Sequence, residues 1–334
     1  MPVPLSTATA PDASDRATPR RRRSARRRFR RPPSLGALAT VLAASVALSG
    51  CEAAAPPDDR PVVATTFTVL ADMARNVAGD HLRIESITKV GAEIHGYEPT
   101  PGDVRVTANA DLVLDNGLGL EAWFERFVGE LDVPHAVVSD DVDPIPIASD
   151  AYAGRPNPHA WMSPVEAQRY VASMVDAFSD LDPANAADFR ANGDAYSDEI
   201  ADVHDELVAG LATLPATQRA LVTCEGAFSY LARDGGLEEA YLWPVNAEQQ
   251  ATPGQIAGAI DFVERNDVAA VFCESTVSDS AMRQVVGATG ARFGGVLYVD
   301  SLSLPGGPVP TYLDLLRHDV RTIVSGLTGS GADR

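Results

Sequence analysis

The chain has 334 residues, 45% of them hydrophobic and 22% charged, with a formal net charge of −19. This is a globular composition, long enough for two domains of ordinary size. Ten of the 27 Lys and Arg lie within residues 1–31, so residues 51–334 hold 17 basic against 44 acidic side chains, which argues against nucleic acid or an anionic membrane surface as a partner held by charge.

The Arg-rich start leads into a short apolar core, Leu35 to Leu48, and then to small residues ending at Cys51. That order is the order of an export signal, with a core too short for a comfortable membrane span. Leu48-Ser-Gly-Cys51 resembles the lipobox of bacterial lipoproteins, which implies a signal peptide over residues 1–50 and a lipid anchor on Cys51. The arginine pairs before Phe29 also resemble a twin-arginine signal, so the export route stays open. Residues 51–61, rich in Ala, Pro and Asp, read as a linker.

From residue 62 onward short apolar runs alternate with helical patterns, the mark of an α/β fold. Strands are expected at Val62 to Phe67, Leu82 to Val90, Asp111 to Asp115 and His135 to Val138, with helices at Val69 to Ala78, after Thr100 and through Trp123 and Phe127. Thr100-Pro-Gly-Asp103 predicts a capping box, and so does Ser163-Pro-Val-Glu166. Each places a histidine, His95 or His159, in the loop just before a helix.

Between Asp182 and Leu214 apolar residues recur at helical spacing, from Phe189 through Tyr196, Ile200, Val203 and Leu207 to Leu211, between Pro183 and Pro215. This predicts one long helix joining a lobe at 62–181 to a lobe at 215–326, with a tail at 327–334. In the second lobe strands are expected at Arg219 to Thr223, Val268 to Cys273 and Gly295 to Val299. Helices are expected from a third capping box, Thr252 to Gln255, over Ser278 to Ala288, and from Pro310 to Val324. Glu225 and Asp300 then fall at strand ends, the edge where open α/β sheets bind ligands. Taken singly, each of these residues is also explained by helix capping or turn chemistry, and spacing alone does not select them.

The ordered stretches His95-Gly-Tyr-Glu-Pro, Asn157-Pro-His159-Ala-Trp, Thr223-Cys-Glu225-Gly-Ala-Phe-Ser-Tyr230, Phe272-Cys-Glu-Ser275 and Val299-Asp300-Ser301 resemble the cluster A-I metal receptors of bacterial ABC transporters. The resemblance covers roughly residues 62 to 326. It implies two similar lobes of parallel sheet flanked by helices and joined by one rigid helix, with His95, His159, Glu225 and Asp300 holding the ion. It further implies a non-enzymatic, monomeric, extracytoplasmic protein that is lipid-anchored to the bacterial cell membrane and hands its ion to a permease and ATPase. Two imidazoles and two carboxylates suit Mn(II), Fe(II) or Zn(II). Zinc receptors of the family typically carry a third His where this chain has Glu225, so Mn(II) is the expected cargo, with affinity falling as pH drops through the histidine range. Cys224 and Cys273 fit either a disulfide or two buried thiols. A metal-dependent hydrolase would need an open coordination position, and a surface adhesin finds no support beyond the anchor.

Overall fold

The computed structural model describes residues 58–124, 133–245 and 251–330, so the expected signal peptide, Cys51 and the expected helix beyond Phe124, including Phe127, lie outside the described residues. In the first lobe β1 (Val62–Thr65), β2 (Arg83–Ser86), β3 (Leu112–Asp115) and β4 (His135–Val137) form a parallel sheet in the order β2-β1-β3-β4. Val63 pairs with both Ile84 and Leu112. Val63, Ala64 and Thr65 are fully buried, as expected of a central strand covered on both faces. Helices α1 (Thr68–Ala78), α2 (Pro101–Ala108) and α3 (Pro164–Leu181) complete the described part of this lobe.

The spine is α4 (Ala186–Leu211), about 39 Å long at 1.5 Å per residue. Its buried stripe, Phe189, Gly193, Tyr196, Ile200, Val203, Leu207 and Leu211, is the one the spacing predicts. The start differs from expectation. Asp182 has φ −134° and ψ 79°, because a residue before proline is driven out of the helical region, and Pro183–Asn185 form a 3-10 turn before the α-helix begins.

In the second lobe β5 (Ala220–Glu225) pairs in parallel with β6 (Glu238–Trp243), and β7 (Ala270–Glu274) with β8 (Arg292–Leu297). β6 is a strand that the sequence reading did not foresee. The two pairs lie edge to edge, since a Cys224–Cys273 disulfide brings β5 and β7 to a Cα separation of 4.8 Å and the Glu225 N–H donates to the Glu274 carboxylate at 3.1 Å. Helices α5 (Ser229–Gly235), α6 (Pro253–Arg265), α7 (Ser280–Ala288) and α8 (Tyr312–Thr328) complete it. The last helix overruns its expected end at Val324: Gly326 and Leu327 are buried, so the chain leaves the core only after them.

Thr100 with Asp103, and Thr252 with Gln255, form reciprocal capping boxes as predicted. Ser163 does not. Its hydroxyl accepts from Val165 and Glu166 N–H, but the Glu166 carboxylate turns away to Arg169 and to Arg233 of the other lobe. Among the described residues no helix is long and apolar enough to cross a membrane.

Glycines let α4 sit close to its neighbours on both sides. A Cβ on Gly193 would run into Val175 of α3, and one on Gly210 would meet Val324 of α8 at 2.7 Å. Gly193→Ala should therefore destabilise the protein by about 1–3 kcal/mol through overpacking, against the ~1 kcal/mol gain that helix propensity alone would give, as read by urea denaturation. With Cys224 and Cys273 paired, thiol titration of the denatured domain from residue 52 should find no free thiol until a reductant is added; two thiols before reduction would refute the pairing.

Candidate metal centre

Each expected ligand is delivered by a chain end the fold creates. His95 lies in the loop after β2. His159 precedes the 3-10 turn Ala160–Met162 that leads into α3. Glu225 is the last residue of β5, and Asp300 follows β8 by three residues. His159, Glu225 and Asp300 are fully buried, and the His95 side chain is 6% exposed.

The His95 Nε2 lies 3.1 Å from the His159 Nε2 and 3.4 Å from the Glu225 Oε1, which is 3.8 Å from the His159 Nε2. These three donors form one trio with mutual separations within 4.8 Å, and Glu93, His95 and Asp300 form a second on the same criterion. The four expected residues thus fall into two overlapping trios that share His95, and Glu93, which the sequence reading passed over, belongs to the second. Its only signal in the sequence was proximity, two residues before His95.

The His159 proton is fixed by its neighbours. Asn157 Nδ2 donates to the Gly226 carbonyl at 2.6 Å and to the Ser229 hydroxyl at 3.1 Å. A carbonyl only accepts, so the amide oxygen of Asn157 must face His159, taking its backbone N–H and its Nδ1–H, each at 3.0 Å. The lone pair is then on Nε2, aimed at Glu225 and His95. This is the outer-shell bond that orients metal-bound histidines, and here both anchors of the amide come from the other lobe. Trp161 packs on His159 at 5.2 Å between ring centroids and on Phe67 at 5.0 Å, closing the floor of the site.

Burial decides the protonation states. It pushes the His95 pKa down to about 4 and that of His159 well below the usual value, with His95 adding to the effect, so both rings are neutral at pH 7. Asp300 moves the other way, up to about 7, through burial and then the Glu93 charge, with the Thr276 hydroxyl opposing. Neither Asp300 oxygen makes a hydrogen bond of good geometry among the described residues. Glu274, beside Glu225, rises to about 8 mainly through burial. A buried carboxylate whose oxygens lack a well-formed hydrogen bond, grouped with the His95 ring and the Glu93 carboxylate, has the chemistry of a cation site.

Residues 63–326 match the family described as ZnuA, zinc-uptake complex component A, periplasmic. The chain belongs to that family. A relative 51% identical over 265 residues, spanning 79% of this chain and 85% of its own, is the iron-binding protein YfeA of Yersinia pestis. Another, 30% identical over 302 residues, 88% of this chain and 99% of its own, is the metal ABC transporter substrate-binding lipoprotein SloC of Streptococcus mutans. A Mn-bound periplasmic metal binding protein from Candidatus Liberibacter asiaticus superposes with a TM-score of 0.76 at 37% identity, covering 80% of this chain and all of that one. The family's members are metal-binding components of uptake systems and not enzymes, and its two-lobed α/β fold is the one found in this chain.

Burial changes the pH response to be expected: with the His95 pKa pushed down to about 4 and that of His159 well below its usual value, the rings contribute little proton competition at neutral pH. Asp300, raised to about 7, does hold a proton below that pH. A dication loaded beside Asp300 must release that proton, so affinity should be level above about pH 8 and fall by up to about tenfold per pH unit below about pH 7. Chelator competition across pH 5.5–8.5 reads this. Asp300→Asn should bind more weakly with a flat profile, and an unchanged slope in that variant would place the proton elsewhere.

Proposed function

We propose that this chain is the extracytoplasmic receptor of a metal ABC transporter, capturing Mn(II) between its lobes and delivering it to a permease and its ATPase, with Fe(II) as the second cargo. His95, His159, Glu225 and Asp300 are the ligands in this reading. The observation that carries it is the pair of trios sharing His95: His159 and Glu225 on one side, and on the other Asp300, a fully buried carboxylate whose oxygens make no well-formed hydrogen bond. Two carboxylates neutralise a dication, which removes the penalty of burying it.

Manganese is favoured by the donor set. Glu225 adds a hard oxygen to the two imidazoles, and oxygen donors suit Mn(II) better than a third imidazole would. The 51% identical relative named for iron supports Fe(II) as the alternative, and Zn(II) remains the ion that any such site holds tightly in isolation. The protein acts as a monomer anchored through the lipid on Cys51, with residues 52–61 holding the lobes off the membrane.

The test is metal analysis of the domain from residue 52, purified anaerobically without chelator, followed by Mn(II), Fe(II) and Zn(II) competition on the wild type and Glu225→His. About one Mn or Fe per chain is expected, with Glu225→His shifting preference toward Zn(II) by at least about tenfold. One tightly held Zn(II), unmoved by the substitution, would remove Glu225 from the ligand set.

A further inference from the structure

Glu93 has no part in the four-ligand reading, yet it lies at the entrance to it. It is half-buried in the loop that carries His95, and its carboxylate accepts the His95 N–H at 2.8 Å and the Gly96 N–H at 2.9 Å. A loop cap explains those two bonds. It does not explain why ligand atoms of Glu93, His95 and Asp300 converge within 4.8 Å of one another, nor why both Asp300 oxygens stay without a hydrogen bond. Each carboxylate oxygen of Glu93 spends one lone pair on the loop and keeps another.

The geometry points to an outer metal position made of Glu93, His95 and Asp300, at which an incoming divalent first-row cation is first caught before it moves inward to His159 and Glu225. Resting on the receptor role proposed above, this adds Glu93 as a capture ligand.

Three observations support it. The first is access: Glu93 is half-buried and His95 slightly exposed, whereas His159 and Glu225 have no exposed surface. Asp300 is as buried as those two, so an ion from solvent reaches the outer trio through Glu93 and His95. The second is charge. The outer trio offers two carboxylates and one neutral ring, which balance a dication. The inner trio offers one carboxylate and two neutral rings, which leave a positive charge uncompensated unless Asp300 is near. The third is continuity: His95 belongs to both trios, so the ion can trade Glu93 for His159 and Glu225 while His95 and Asp300 keep hold.

The outer position is also a product of lobe docking. The Ser301 hydroxyl accepts the Gly91 N–H at 2.7 Å, fastening the Glu93 loop to the segment that carries Asp300. Thr68 adds a second fastening, its hydroxyl accepting the Leu302 N–H at 3.1 Å. Glu93 and Asp300 therefore face one another only while these contacts hold.

The experiment is stopped-flow mixing of the metal-free domain with Mn(II) at low ionic strength, followed through the fluorescence of Trp161, which packs on His159. Glu93→Gln removes the charge and keeps one of the two loop acceptors, turning its NH2 toward the other backbone N–H, and Glu93→Asp keeps the charge and both acceptor oxygens on a shorter arm. The association rate should fall by about tenfold or more in Glu93→Gln, with the dissociation rate within about twofold of wild type and the melting temperature only slightly lowered by the lost loop bond, and Glu93→Asp should recover part of the loss. An unchanged association rate in Glu93→Gln would leave Glu93 as a loop cap only. A loss confined to dissociation would make it a ligand of the final position and overturn the capture step. Failure of the receptor reading is distinguishable, because the wild type itself would then bind no Mn(II), or bind it equally well as His159→Ala.

Discussion

A carboxylate shut away from water with no well-formed hydrogen bond is among the least tolerable groups in a protein interior, and Asp300, with only the Thr276 hydroxyl near it, is such a group. It must either hold a proton or sit beside a cation. Much of the fold can be understood as keeping that choice open. Parallel strands in both lobes run toward one interface, the α4 spine packs against helices of both lobes, and hydrogen bonds cross the seam between them. Tyr312 alone ties α8 to the first lobe twice, its hydroxyl donating to the Trp161 carbonyl and its N–H to Asp72 at 2.9 Å. An interior tightened in this way gains nothing from an empty centre; it is shaped for an occupant that brings positive charge.

The same dryness that raises the carboxyls depresses the imidazoles, and the two shifts serve one end. Ligand nitrogens must be unprotonated to bind a metal, and desolvation holds both rings in that form well into acid. Proton competition is thereby moved onto oxygen. Asp300, raised by the same burial, is therefore the group expected to carry the pH response, although composition would suggest the histidines. Glu274 extends the pattern one step outward, supporting the backbone of Glu225 while itself held up to about 8.

What the sequence discloses depends on how local the physics is. The stripe from Phe189 to Leu211 survives folding because a buried helix face needs only its own spacing, and the Thr100 and Thr252 boxes close because their partners are three residues away. The loops before helices that carry His95 and His159 and the strand ends near Glu225 and Asp300 are legible for the same reason, and the family likeness then selects those four. Long-range competition hides the rest. Glu166 abandons its own helix start for Arg233, 67 residues on. β6 escapes notice because Glu238 and Glu239 break its apolar pattern, yet Glu239 is drawn inward to accept the Ser229 hydroxyl at 2.6 Å. The Cys224–Cys273 pairing needs β5 and β7 to be neighbours, which no spacing states. Glu93 looks like a polar loop residue until Asp300 arrives opposite it from 207 positions away.

The amide of Asn157 deserves a thermodynamic reading. It belongs to one lobe, the Gly226 carbonyl and Ser229 hydroxyl that orient it belong to the other, and through it they set which nitrogen of His159 carries the lone pair. The basicity of a ligand in the first lobe is therefore a function of contact with the second. Two equilibria that share a bond in this way carry a coupling free energy, and coupling is reciprocal. Whatever factor by which the ion tightens the seam, opening the seam weakens the ion by the same factor. A membrane partner that binds the parted lobes more strongly than the joined ones need never touch the metal to loosen it: its differential affinity alone sets how far release can be driven.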